Sequence, residues 1–510
     1  MHSKKMKAEG FGMRMREQFR AFGKLPWSTS FAATALILVF MVISGSQRAN
    51  ALPAFARKYG LRCSACHESW PMLNYFGQKF KDNGYQLMNE RDAPIWQNPS
   101  YWPVTFRITP IWHRVSTGKV PVDEGSGITR ITSTGFDLSG LDFHTGGTLE
   151  KNFSFYVLPS SDSTGTFHFE SVFGRLDNLW GSPWLNVKFG KFELDNLLSE
   201  KRILTLTGNG GIYQTYHFIP VGDGNIFGQM GDNQLGVEYM GHSLNDRTRI
   251  SAALISSSDG NVNLSTGANS YTAFITGSQA FDTGRLGVQR IGFYVMAGQA
   301  ATYYLTSGGV PLGGTGISNK GFSREGFVGQ FYFGQHFDVT VVTQHGEDNA
   351  WFGQGYGNAI QSDGNGGTTA TCSNPPTPGC PANNLPGTAL PIGSRSPTWN
   401  GYTFEAHYVA TPQLIFIGRF EAERMSQQAD GPLYTGTGPS GYTGPAPSNL
   451  GNITTYTIGY RYNPFMTSRA GFAWHNEYNW LHQDGTGPMV GATGLNVNTS
   501  ELLLGFDFDF

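Results

Sequence analysis

Charge is scarce in this 510-residue chain: 14% of its residues are Asp, Glu, Lys or Arg, where a soluble domain carries about 25%. It also lacks any apolar run long enough to cross a membrane as a helix, which excludes a polytopic helical membrane protein. No large Lys/Arg block is present, and 35 basic residues against 37 acidic ones give a formal charge of −2. Nucleic-acid backbones need clustered positive charge, so a nucleic-acid binder is disfavoured. The 68 glycines have no period of three, so a collagen-like chain fails too. What is abundant is glycine itself, with aromatics at 14%, in a chain that keeps alternating polar residues. That composition points to β-structure.

The first 51 residues read as an address. Seven basic residues from Lys4 to Lys24 precede a mostly apolar stretch, Phe31 to Ile43, followed by Ala49-Asn50-Ala51. This is the order of a secretory signal peptide, with cleavage expected before Leu52. The apolar stretch is too short for a membrane anchor, since its residues at about 1.5 Å each fall short of the ~30 Å hydrocarbon core. Without residues 1–51 the balance becomes 27 basic against 35 acidic, a mature charge of −8. An exported acidic protein is a fair partner for cations.

The four cysteines form two unrelated pairs. Cys63-Ser64-Ala65-Cys66-His67 is the C-x-x-C-H pattern of covalent c-type haem attachment. Two thiols at this spacing reach the two vinyl groups of one porphyrin, and the adjacent His67 imidazole becomes the proximal iron ligand. With four Cys and twelve His in the chain, an accidental match is expected about five times in ten thousand. A thioredoxin-like pair would need a βαβ setting, and a zinc site would need further ligands nearby; neither is present. Cys372 and Cys380 bracket a Pro-rich segment without periodicity, which reads as a disulfide clipping an exposed loop.

Residues 52–98 are expected to form a small α-helical monohaem unit. Pro71 suits a first helical turn, Leu73, Phe76 and Phe80 share a face, and Asn83-Gly84 supplies the stop. So few residues bury little core unless a covalent cofactor staples them. For the sixth haem position Met72 is too close to His67 for the chain to pass round the porphyrin edge. Met88, just beyond the helix stop, is far enough away, and His113 is its rival.

From Trp102 onward the period is two. Val104, Phe106, Ile108 and Trp112 alternate with Thr105, Arg107, Thr109 and His113, and the same pattern recurs in sixteen segments down to Thr499–Phe510. Short and long connections alternate between them, with one exception at Pro159 to Gly165. This asymmetry of tight turns and long loops predicts an antiparallel transmembrane β-barrel of about 16 strands over residues 102–510. The last strand ends Leu502, Leu504, Phe506, Phe508, Phe510 on one face. Asp507 and Asp509 face inward, as do the pairs His144 with Asp142 and His168 with Glu170 on other strands; all are expected to line a wet lumen, with transient iron binding a lesser possibility.

Signal peptide, haem segment and barrel ending in Phe is a specific order. The stretch Pro53-Ala-Phe55-Ala56-Arg57-Lys-Tyr-Gly60-Leu-Arg-Cys63-Ser-Ala-Cys66-His67, then Pro71, Leu73, Gly77, Phe80 and Gly84-Tyr85, resembles the fused outer-membrane monohaem cytochrome-porins. The close resemblance covers some 35 residues; the barrel matches in architecture alone. The best-known members are iron(II) oxidases, so the resemblance implies one haem c, extracellular Fe(II) or another outside donor, a periplasmic electron carrier and outer-membrane lipid as partners, and oxidoreductase activity. Two rival readings remain: a solute-diffusion porin with a haem-bearing plug, and an outward conduit to extracellular acceptors.

Overall fold

In the computed structural model the described residues are 53–69, 72–87, 92, 94–97, 103–121, 128–161, 165–197, 233–256, 271–303, 317–347, 398–427, 452–466, 470–483 and 497–509. The expected signal peptide, Met88, Cys372, Cys380 and Phe510 lie outside them.

Sixteen antiparallel strands close into one barrel. They are β1 (Val104–Pro121), β2 (Ile128–Glu150), β3 (Phe153–Ser161), β4 (Phe167–Leu176), β5 (Asn186–Glu193), β6 (Asn233–His242), β7 (Thr248–Ser256) and β8 (Tyr271–Asp282). Then follow β9 (Val288–Tyr303), β10 (Ile317–Tyr332), β11 (Phe337–Glu347), β12 (Thr398–Thr411), β13 (Leu414–Gln427), β14 (Ile453–Met466), β15 (Gly471–Gln483) and β16 (Val497–Asp509). Each strand pairs with its neighbours in sequence, and β16 returns to β1, with Leu504 opposite Trp112 and Phe508 opposite Ile108. A closed sheet leaves no unpaired edge, which is what a hydrocarbon environment demands of a spanning structure.

The alternation read from the sequence is the alternation of faces. On β7, Arg249, Ser251, Ala253 and Ile255 are buried inward, while Ile250 and Leu254 are exposed outward. On β9, Arg290, Tyr294 and Met296 face in, and Ile291, Phe293 and Val295 face out. The outward Phe327, Phe404, Phe416, Tyr456, Ile458 and Trp474 continue this apolar belt. Seven tight links lie at one end of the barrel, here called the turn end, and the longer links at the other. The exception between β3 and β4 persists. The β1–β2 link is shorter than the sequence suggested, because both strands run several residues past the expected limits, to Pro121 and from Ile128.

The N-terminal segment sits against the inner wall at the turn end. It comprises α1 (Pro53–Tyr59), α2 (Cys63–Cys66), a ribbon pairing His67–Ser69 with Met72–Leu73, and α3 (Tyr75–Asp82). The helix expected from Pro71 begins instead at Tyr75. Asn74 is its N-cap, accepting from the Gly77 amide at 2.9 Å, and its own amide donates to the Cys66 carbonyl at 2.9 Å. That cap leaves Met72 and Leu73 extended and turns Phe76 outward, 41% exposed. The stop is where it was expected: Asn83 and Gly84 close the helix, with Gly84 at a φ of 73° that favours glycine.

The resemblance residues have structural reasons. A Cβ at Gly77 would run into the Cys66 backbone, so glycine lets α3 lie directly on α2. Phe80 and Tyr85 build an aromatic nest with Phe55, at ring separations of 5.4 Å and 5.0 Å from it. The nest extends into the barrel through Tyr156, 6.1 Å from Tyr85. A segment too small for its own core has borrowed one from the wall.

Candidate functional site

Ionic and polar contacts fasten the segment on several strands. Ala54 N donates to Thr105 Oγ1 and Lys58 Nζ to Thr148 Oγ1, both at 3.1 Å. Arg175 donates to the Lys81 carbonyl at 2.8 Å and to the Asp82 carbonyl, the exposed C-terminal acceptors of α3. Asp82 pairs with Arg249 at 2.6 Å, Lys81 with Glu193 at 3.3 Å, and the Tyr75 hydroxyl donates to the Asn245 carbonyl. On the opposite side Met72 packs on Ile415 and Ile417 of β13.

Between segment and wall lies a cavity of ≈ 530 Å³, within the range of about 300–1,000 Å³ usual for small-molecule sites. From the segment Ser64, His67, Glu68 and Met72 line it; from the wall come Asp246, Arg249, Arg290, Gln330, Tyr332 and Thr340. His67 is 6% exposed and Cys66 8%. Helix α2 sets Cys63 and Cys66 one turn apart, and His67 follows where the chain leaves the helix.

The cavity's electrostatics are unusual for a pore wall. Burial, followed by the Asp338 carboxylate and a hydrogen bond to it, pushes the Glu68 carboxyl up to about 8. Behind Asp338, His407 holds Asp338 Oδ1 at 2.8 Å and Glu405 Oε1 at 2.7 Å, and Arg419 continues the chain to Glu405 at 3.3 Å and Glu421 at 3.1 Å. Burial also raises the Cys66 thiol to about 11. In the β6–β7 turn, burial and then Asp82 raise the Asp246 carboxyl to about 7; among the described residues neither of its carboxylate oxygens has a hydrogen-bond donor, and His242, Arg249 and Arg290 face it at 3.6–3.7 Å.

A covalently attached haem fits this donor set. The cavity meets the His67 imidazole, is bounded by apolar Met72 and Leu73 beside it, and presents the buried guanidiniums of Arg249 and Arg290. An iron ligand, an apolar edge and cations are what a flat apolar macrocycle carrying two carboxylates calls for.

The other expected residues are dispersed. Met72 stands on the ribbon strand that pairs with His67–Ser69 and lines the cavity with His67. His113 does not line the cavity: it sits on β1, across the barrel from the cavity-lining β7 to β11, with Nδ1 4.0 Å from Glu501. His144 Nδ1 is 2.6 Å from the Tyr156 hydroxyl and its Nε2 3.9 Å from Asp142; His168 is exposed. Asp507 is committed to a hub: Arg107 at 2.9 Å, Thr109 at 2.7 Å, Arg461 at 3.1 Å and His475 at 3.4 Å. Among the described residues no group of three or more His, Cys, Asp or Glu is arranged to hold a metal ion.

Sequence reasoning missed Asp246, Arg249, Arg290 and Tyr332. A signal for two of them existed: Arg249 and Arg290 are basic residues at inward positions within three residues of a tight turn, in a chain poor in charge.

No protein-family model and no curated protein matches this sequence. Among solved structures, the chain is similar to an anion-selective porin from Comamonas acidovorans, at 12% identity and TM-score 0.45, over 80% of this chain and 98% of that one. It is similar to Pseudomonas putida OprB, at 10% identity and TM-score 0.44, over 80% and 94%, and to the outer membrane channel DcaP of Acinetobacter baumannii, at 13% and 0.43, over 80% and 96%.

Proposed function

We propose that this chain is a bacterial outer-membrane cytochrome-porin, an oxidoreductase that takes electrons from extracellular Fe(II) by way of one covalently attached haem c and passes them to a periplasmic electron carrier. The observation that carries this reading is the buried His67 of a C-x-x-C-H helix, facing a cavity between the segment and the barrel's inner wall. On this reading the turn end faces the periplasm and the haem unit occupies the barrel's periplasmic mouth. Haem supplies a one-electron iron centre. Cys63 and Cys66 anchor it, His67 ligates its iron, and Met72 with Leu73 keeps that ligand's surroundings apolar. Asn74 and Gly77 hold α2 and α3 together, so that the ligand's helix has one position. The mature charge of −8 favours cations at the outer loops. Fe(II) is thereby oxidised outside, where insoluble ferric product stays.

The test is a spectrum. Membranes bearing the protein should show c-type bands that Fe(II) reduces, and His67→Ala should remove them. Bands that Fe(II) leaves oxidised at every pH tried would refute the iron assignment, and bands that outside acceptors oxidise would favour the outward conduit. Solute flux through liposomes that is indifferent to loss of haem would favour the diffusion porin.

A further inference from the structure

Among the described residues, Arg290 is a buried cation with no anion in hydrogen-bond reach. It is 6% exposed, and it donates to Ser278 Oγ at 3.0 Å and to the Asp246 carbonyl at 2.5 Å, both neutral acceptors. The carboxylate nearest it is Asp246 Oδ2 at 3.7 Å. Its neighbour Arg249 is matched, to Asp82 at 2.6 Å and Asp195 at 3.5 Å. The Asp246 carboxylate also lies 3.7 Å from Arg249 and 3.6 Å from His242, so the Arg290 pair is long and shared, and a buried guanidinium so weakly matched has capacity for a second anion. The free side of Arg290 opens on the cavity that His67 lines, between Val288 and Gln330.

We infer that Arg290 binds a carboxylate of the group held at His67, a haem propionate, and that its charge raises that group's reduction potential. The inference rests on the haem reading above. Attachment through Cys63 and Cys66 uses the two vinyl groups and leaves both propionates ionisable. A planar guanidinium matches a carboxylate bidentately, and Gln330 beside it offers a further neutral donor. A fixed positive charge near the iron favours the form carrying the extra electron.

The experiment is a redox titration of the purified full-length holoprotein and three variants. Arg290→Gln should keep its covalent haem and shift the reduction equilibrium at least tenfold toward the oxidised form, about 59 mV for one electron. Arg290→Lys, which keeps the charge but one contact fewer, should shift less in the same direction. Arg285→Gln removes an exposed cation in the adjacent β8–β9 turn and should titrate as wild type. Should Arg290→Gln fail to assemble, Arg290→Lys carries the test by the same direction of shift. Attached haem with an unmoved midpoint in the Arg290 variants, or an equal shift in Arg285→Gln, overturns the inference alone. Wild-type protein without covalent haem overturns the haem reading as well.

Discussion

Two sectors of the barrel's inner wall differ in kind. Along β5 and β7 to β12, Phe192, Ile255, Phe274, Tyr294, Met296, Phe322, Val328, Val342 and Trp399 form one buried apolar cluster. From β12 round to β16 the buried residues include an ionic group instead: Glu405, His407, Arg419, Glu421, Arg461, His475, Glu477 and Asp507, all 5% exposed or less. A water-filled pore keeps its interior polar all round. Here one sector carries a cluster that packs like a protein core, and another carries charges paired with each other. The difference teaches that side chains of one wall can serve two purposes: close-packing above the His67 cavity, and electrostatic matching opposite it.

The comparison breaks most visibly at Asp507. Replacing it by Ala strips the fully buried Arg461 of that carboxylate and leaves the half-buried Arg107 with Asp142, which should cost about 3–5 kcal/mol. Heat- or urea-induced unfolding of the barrel in detergent, followed by gel mobility, reads it. A loss under about 1 kcal/mol would mean that water screens the ionic sector as it does a surface pair. In the apolar sector Met296→Ala should cost about 2–5 kcal/mol by cavity formation. Both losses should change little with salt, since buried pairs are screened far less than surface ones. A marked salt dependence of the Asp507→Ala loss would show that the ionic sector is open to solvent ions.

Much of this architecture was legible in the sequence, because strand alternation is local: each inward residue is named by parity once one strand is placed. Hence the sixteen strands, the inward Asp507 and the outward Phe506 and Phe508 could be read directly. In the N-terminal segment the stop at Asn83 and Gly84 was legible, and the spacing of Cys63, Cys66 and His67 is what carries the proposed haem. What stayed hidden depends on which strands meet which face of the segment. Tyr156 under Tyr85, Arg249 on Asp82 and Arg290 at the cavity are separated by 71, 167 and over 200 positions from their partners, distances no periodicity reports. The apolar luminal sector was missed for a related reason. Its inward Phe274, Tyr294 and Met296 flank outward Ile275 and Val295, so the strands look apolar on both faces.

Asp246 tests how far the apolar sector reaches, since it lies at its foot in the β6–β7 turn, facing Asp82 and Asp195 as well as Arg249 and Arg290. Its carboxyl is raised to about 7 by burial, then by Asp82, from an unfolded value of about 3.9. The folded turn therefore binds a proton that the opened turn releases throughout the window between about 4 and 7. Stability of the turn should fall as pH rises through that window, by at most about 1.4 kcal/mol per pH unit, and level off above about 7. Amide hydrogen exchange at Asp246 and Ser243, whose amides bond to the Ser243 and Thr248 carbonyls, measures the opening once intrinsic pH effects are removed. Asp246→Asn should flatten the profile. A wild-type profile already flat from pH 4 to 7 would mean that the carboxylate is held ionised by Arg249 and Arg290, and that the foot of the apolar sector belongs electrostatically to the ionic one.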